Sequence, residues 1–244
     1  MKKSSNNMDI LPISVESLNF SVGGKDILCD LNFQLDAGIK TFIIGPNGAG
    51  KTVLLKLCHG LLVPASGKIV WANRLKPKPH YKQGMLFQRP ILLRRSTRAN
   101  IEYALAVQGV HGLRQKSRVD AVLEETGLAE LAHRNARVLS LGEQQRLALA
   151  RVWVLKPQIL FLDEPTAHLD PSSTRMVERI ISRIFESGTK IVMTSHDMGQ
   201  VKRLADEVLF LHRGHMLEKT PVEQFFSDSK NKEVSLFVKG NLLW

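Results

Sequence analysis

The sequence predicts an α/β fold with a mostly parallel sheet, an antiparallel β part towards the N-terminus and a compact helical insert. Three observations predict it. Short apolar, β-branched runs at residues 40–44, 158–162, 190–194 and 207–211 alternate with helical stretches at about 53–59, 171–187 and 198–205. That alternation builds parallel sheets. Residues 13–44 read as short strands separated by turns. Residues 97–134 change to helical spacing, in Ile101, Leu105, Val119, Val122 and Leu123.

The first strand is expected at 15–20, a turn at 22–25 and a second strand at 32–35 before Asp36-Ala37-Gly38. The buried strand 40–44 leads into a glycine-rich loop and a helix that Gly60 stops. A loop at 63–67 precedes a short strand at 68–71. The proline-bearing, basic residues 73–82 are expected as a surface loop, and 84–87 as a buried strand ending at Gln88. Gly109, Gly112 and Gly127 divide the insert into short helices. Ser140 caps a helix, with Glu143 as its capping-box partner, that ends before Lys156-Pro157. His212-Arg213-Gly214-His215 is expected as a hairpin turn into a strand at 216–219, and residues 221–244 as helical.

The 244 residues are enough for a sizeable core, and 43% hydrophobic and 23% charged residues are ordinary for a globular protein. No apolar run approaches the roughly 18 residues of a membrane span. The start, Met1-Lys2-Lys3-Ser4-Ser5-Asn6-Asn7, has charge but no apolar stretch behind it, so it reads as a frayed tail rather than a secretory signal. Cys29 and Cys58 have no metal-type spacing and read as buried free thiols of a reducing compartment. Net charge is +11, and no acidic residue lies between Asp36 and Glu102, while Arg74, Lys76, Lys78, Lys82, Arg89, Arg94, Arg95 and Arg98 accumulate. Such a stretch suits a polyanion, whether nucleotide, phospholipid surface or nucleic acid; it equally fits a solvated basic face.

Gly45-Pro46-Asn47-Gly48-Ala49-Gly50-Lys51-Thr52 has the G-x-x-x-x-G-K-[ST] pattern of a phosphate-binding loop, between a strand and a helix as the pattern requires. Its glycines let successive N–H groups converge on one anion, and the helix N-terminus adds its dipole. Lys51 supplies a charge for the β- and γ-phosphates, and the Thr52 hydroxyl can ligate Mg²⁺. Strand 159–162 ends in Asp163-Glu164, where an open sheet binds ligands. Asp163 can hold Mg²⁺ and Glu164 can polarise an attacking water. The capped helix at Ser140 is a second anion-binding helix start, which a second copy of the chain could bring over the first copy's phosphates.

Taken together, the phosphate loop, Gln88, residues 139–146, Asp163-Glu164-Pro165-Thr166, Ala167-His168-Leu169-Asp170 and Ser195-His196-Asp197 resemble the ordered motif set of an ATP-binding-cassette ATPase, over residues of about 13–220. The resemblance implies a P-loop NTPase (RecA-like) core at about 11–90 and 155–228, a helical insert at about 91–154, a tail at 1–10 and a C-terminal segment at 229–244. It implies that Phe20 stacks on adenine and that residues 45–52, with Val53 after them, hold ATP. Gln88 then senses Mg²⁺ and a transmembrane partner. Ser140, Gly142 and Glu143 belong to the signature that meets the other copy's ATP, and Asp163 and Glu164 are the metal-binding and base residues. Lys51 and His196 stabilise charge on the γ-phosphate, and Thr52, Gln88 and Asp163 serve Mg²⁺. Leu141 departs from the family, standing where the signature has its first glycine.

Residues 86–96 and 100–105, with 204–206 and 211–214, resemble importer ATPases for oxyanions, tungstate most closely, with phosphate and molybdate importers related. The expected protein is a homodimeric ATPase peripheral to the cytoplasmic face of the inner membrane. Its expected partners are two transmembrane permease subunits and, indirectly, an extracytoplasmic solute-binding protein. The alternatives are a cassette ATPase acting on nucleic acid or ribosomes and a weakly hydrolysing nucleotide-binding regulator. Nucleic acid is the less expected partner, because such relatives resemble two cassettes in one chain or one split by a coiled coil. The apolar residues Ile91, Leu92 and Leu93, just after Pro90, are expected to form a docking segment for a helix of the membrane partner; the alternative is that Leu92 and Leu93 merely pack beneath the insert.

Overall fold

The computed structural model describes residues 10–72 and 82–240. The N-terminal tail up to residue 9, and the basic loop expected at 73–82 apart from Lys82, lie outside them. The described residues form two compact units, one of 10–72 with 196–240 and one of 82–195.

In the first unit, β1 (Ile13–Val22) lies between β2 (Lys25–Leu35) and β4 (Ser66–Trp71), antiparallel to both. Gly23 and Gly24, both at positive φ, form the two-residue turn expected between β1 and β2. β2 begins seven residues before the strand read from the sequence. Leu28 pairs with Phe20 and Leu31 with Leu18, so partners on β1 extend it through polar positions that show no clean alternation. β3 (Lys40–Ile44) pairs in parallel with β8 (Glu207–His212), and β8 turns through Arg213-Gly214 into antiparallel β9 (His215–Pro221).

Helix α1 (Lys51–His59) follows β3 and ends at Gly60, whose φ of 86° places it in the left-handed conformation that glycine adopts freely. Cys58 is buried in α1, and burial pushes its thiol up to about 12, so it stays protonated and inert. Cys29 is half-buried on β2. α6 (Met198–Leu204) is capped by Asp197, whose carboxylate accepts from Gln200 N at 3.1 Å. The expected C-terminal helix is two short ones, α7 (Val222–Ser227) and α8 (Lys232–Val238). Both bring aromatic rings to β8, with Phe237 at 5.0 Å and Phe225 at 6.1 Å from Phe210.

In the second unit β5 (Gln83–Leu86), β6 (Ile159–Asp163) and β7 (Lys190–Thr194) pair in parallel, and every residue of β6 and β7 is buried. Strands so enclosed need continuous apolar runs, which is why they were legible as such. The insert comprises α2 (Thr97–Val107), α3 (Gly112–Glu125) and α4 (Leu141–Trp153), packed round Ile101, Leu105, Val119, Leu123 and Leu147. Ser96 caps α2 by accepting from Ala99 N. α5 (Pro171–Glu186) joins β6 to β7.

The expected docking segment is corrected here. Leu92 packs against the insert core, and Leu93 is anchored by Asn100, which accepts from its N–H at 2.9 Å and donates to its carbonyl at 3.2 Å. Only Ile91 projects, 84% exposed, while Arg151 donates to its carbonyl at 2.7 Å. Proline at 90 turns the chain as expected, but the Leu92 side chain adds to the insert core and the Leu93 backbone is tied to Asn100.

Candidate functional site

The first unit carries the phosphate loop, Phe20 and His196. Gly45, Gly48 and Gly50 have φ of 149°, 81° and 101°. A Cβ at Gly45 would collide with the Leu211 carbonyl oxygen on β8, so the loop leaves β3 along a path that only glycine can take. Gly50 is the N-cap of α1 and has no side chain to bond the first-turn amides, and no acidic residue sits in that turn. This is the helix start that suits an anion.

Lys51 is buried, and its Nζ donates to the carbonyls of Gly45 at 2.7 Å and Pro46 at 2.9 Å. Those bonds give two of the ammonium's hydrogens acceptors within the loop itself, which offsets part of the cost of burying it. Pro46 is half-buried, Asn47 and Gly48 are exposed and Ala49 is buried, while Thr52 and Val53 are half-buried in the first turn of α1. Phe20 is half-buried near the end of β1. His196 is exposed and directly precedes Asp197, the cap of α6.

The second unit brings Gln88, Asp163 and Glu164 together. Asp163 and Thr194 are register partners at the carboxyl ends of β6 and β7. The Thr194 hydroxyl donates to Asp163 Oδ1 and accepts from Glu164 N, each at 2.9 Å. One side chain thus orients both acidic residues. Glu164 itself sits at φ 43°, a left-handed conformation uncommon for glutamate, which the bond to its N–H helps to hold. Gln88 Nε2 donates to Glu164 Oε2 at 3.3 Å.

Thr194 was not singled out from the sequence. The only signal there was a hydroxyl closing an apolar strand, and nothing local tells which residue of another strand stands beside it.

At the N-terminus of α4, Ser140 and Glu143 form the expected capping box, with Glu143 N donating to Ser140 Oγ at 3.3 Å and Ser140 N to Glu143 Oε2 at 2.7 Å. Gly142 is buried, and a Cβ there would collide with Ser173 Oγ in the first turn of α5. That contact requires glycine at 142 for packing within the chain, a reason the sequence did not reveal. Asp170 caps α5 by accepting from Ser172 N and Ser173 N at 2.9 and 3.0 Å. Hydrogen bonds from Ser173 and Ser172 hold its carboxyl well below the usual carboxylate range. Arg146 Nη1 donates to the Thr126 and Gly127 carbonyls, both at 2.8 Å, tying α4 to the end of α3. Burial lowers the Arg146 pKa against the opposing pull of Glu143. Leu141 opens α4 with its side chain 63% exposed.

Among the described residues no cluster of three or more His, Cys, Asp or Glu side chains could hold a metal by itself. Gln88 and Asp163 in the second unit carry an amide oxygen and a carboxylate, and Thr52 in the first carries a hydroxyl; each is the kind of oxygen donor that Mg²⁺ takes.

The sequence profile of the family described as "ABC transporter" matches residues 28–167, more than half of the chain. The phosphate import ATP-binding protein PstB 2 of Natronomonas pharaonis is 32% identical, over 95% of this chain and 88% of that one. The tungstate uptake system ATP-binding protein TupC of Peptoclostridium acidaminophilum is 36% identical, over 85% of this chain and 98% of that one. Among solved structures, CbiO1 of Clostridium perfringens, described as part of the ABC transporter complex CbiONQ, superposes with a TM-score of 0.81 at 29% identity. That match covers 90% of this chain and 92% of that one.

Proposed function

Because this chain belongs to the ABC transporter family, we propose that it is the ATP-hydrolysing subunit of an importer whose solute is an inorganic oxyanion, tungstate foremost. The observation that carries the chemistry is the Thr194 hydroxyl bridging Asp163 and Glu164 at the ends of two parallel strands. That bridge supports Asp163 as the metal-binding carboxylate and Glu164 beside it as the base. Support for the oxyanion comes from the names of the two relatives, one a tungstate and one a phosphate system.

Residues 45–52 bind the ATP phosphates, Phe20 stacks on the adenine, and Lys51 and His196 offset charge on the γ-phosphate. Glu164 takes a proton from the water whose oxygen attacks the γ-phosphorus, and ADP leaves. Thr52, Gln88 and Asp163 would hold Mg²⁺, which would supply positive charge to offset that of the phosphates. Two copies sandwich two ATP molecules, Ser140, Gly142 and Glu143 of each facing the other's nucleotide. Closure drives two permease subunits at the cytoplasmic face of the membrane, fed by a solute-binding protein outside. No described helix is long and apolar enough to cross a membrane itself.

The test is reconstitution with the cognate permease and solute-binding protein in proteoliposomes. ATP hydrolysis is expected to rise with tungstate and less with phosphate. Stimulation by neither anion, in vesicles that respond to another solute, would remove the oxyanion assignment.

Leu141 bears on the dimer. Its exposed side chain at the start of α4 occupies the surface that the second copy's nucleotide would approach. Leu141→Gly is expected to raise turnover and ATP-dependent dimerisation by a few-fold, with little cost to a helix start that already has its cap. Sedimentation with and without ATP, beside phosphate release, checks this. An unchanged rate means that the facing surface accommodates leucine.

A further inference from the structure

We infer that the corner where α2 meets α3, residues 103–118, docks directly on the anionic headgroups of a lipid bilayer. Tyr103 and Val107 lie one turn apart on α2, and Leu113 opens α3. They are 42%, 71% and 87% exposed, so the corner presents apolar side chains to solvent.

Cations outnumber carboxylates around that ridge. Arg114, Lys116 and Arg118 occupy the first half of α3, and between Asp36 and Asp120 the whole sequence has one acidic residue, Glu102. Glu102 and Asp120 are both drawn to Arg98, at 3.9 and 2.5 Å. The Arg95 guanidinium stacks over the Tyr103 ring, 5.4 Å from its centroid, and adds a further cation to the ridge. α3 has no side-chain cap and no acidic residue in its first turn. Its cations lie at the positive end of the helix dipole and Asp120, Glu124 and Glu125 towards the negative end, the reverse of what stabilises a helix. Gln115 Nε2, donating to the Glu102 carbonyl at 2.9 Å, is the side-chain bond that holds this start against α2. Such a charge order is favourable when the counter-charge comes from outside the chain.

The aliphatic side chains select among polyanions. A nucleic acid gives Val107 and Leu113 nothing to bury against. At a bilayer surface they enter the headgroup and acyl boundary while the cations remain among the phosphates. A neighbouring open cleft of about 410 Å³, lined by Arg98, Glu102, Gln115, Lys116 and His133, carries less unmatched charge, since its arginine is already paired.

The test uses the full chain without nucleotide or permease, so its outcome is independent of the transport reading. Co-sedimentation is expected with phosphatidylcholine vesicles containing phosphatidylglycerol, weakening as salt rises, and not with pure phosphatidylcholine. Neutralising Arg114, Lys116 and Arg118 to Gln together is expected to weaken binding about a hundredfold, roughly fivefold per cation. Leu113→Ser is expected to weaken it roughly tenfold, at a site too exposed to disturb the core. Both variants should keep the circular dichroism and basal ATPase activity of the parent chain.

The proposal is overturned if the parent chain binds neither vesicle or both equally. It is also overturned if the folded triple variant binds as well as the parent. Vesicle binding kept by the variants but association with permease-containing membranes lost would make the corner a protein-docking face, and would overturn it too.

Discussion

Glu164→Gln is expected to lower ATP hydrolysis by roughly 10²–10⁴-fold while leaving ATP binding intact. The glutamine keeps the shape of the side chain and removes its ability to take a proton from water. Its backbone N–H still donates to Thr194 Oγ1, so the left-handed turn at 164 and the orientation of Asp163 are preserved. Gln88, which donates to Glu164 Oε2, can meet an amide oxygen in its place. Because binding survives and hydrolysis does not, an ATP-held dimer is expected to accumulate on gel filtration. Phosphate release and nucleotide affinity measured on one preparation decide the matter. A near-parental rate would show that the base is another group.

Thr194→Val is expected to cost more than its single oxygen suggests. Valine matches the shape of threonine inside β7, yet it removes a donor to Asp163 and an acceptor for Glu164 N at once. The loss at Asp163 is buried and that at the Glu164 N–H part-buried, and an unsatisfied buried polar group costs about 1–3 kcal/mol. Stability by urea unfolding is therefore expected to fall by about that amount, and hydrolysis by roughly 10–100-fold, since 1.4 kcal/mol is about tenfold. The distinguishing readout is the Mg²⁺ dependence of the rate. An Asp163 carboxylate no longer held by the hydroxyl should demand more Mg²⁺, whereas a purely structural loss would leave that dependence unchanged. Thr194→Ser keeps the hydroxyl and is expected to restore both quantities. If it fails to do so, the methyl group, not the bridge, is what matters.

Much of this was legible in the chain because local rules suffice for it. A phosphate loop is contiguous: its glycines, Lys51 and Thr52 sit in eight consecutive residues between a strand and a helix, and the structure places them so. The capping box at Ser140 and Glu143 is likewise a four-residue event. Fully buried strands such as β6 and β7 announce themselves as unbroken apolar runs. Half-buried β2 did not, because its early pairing depends on a partner strand with an irregular register near Ser17, where φ is 44°. Leu92 misled for a related reason. An apolar residue after a proline looks the same whether it faces a partner or lies under a helical insert, and only the insert's core shows which.

Read by itself, the sequence determined the α/β class, the glycine-rich loop between β3 and α1, the two carboxylates where β6 ends and the uneven charge. Each of these follows from residue type and short-range spacing. The tertiary structure decided what depends on distant residues coming side by side. It set Thr194 against Asp163 through strand register, required glycine at 142 through the approach of Ser173, and drew Glu102 and Asp120 to Arg98. Hydrogen bonds and close contacts act over a few ångströms in space, while sequence patterns act over a few residues along the chain. Where the two neighbourhoods coincide, the sequence suffices; where they part, only the fold brings the partners together.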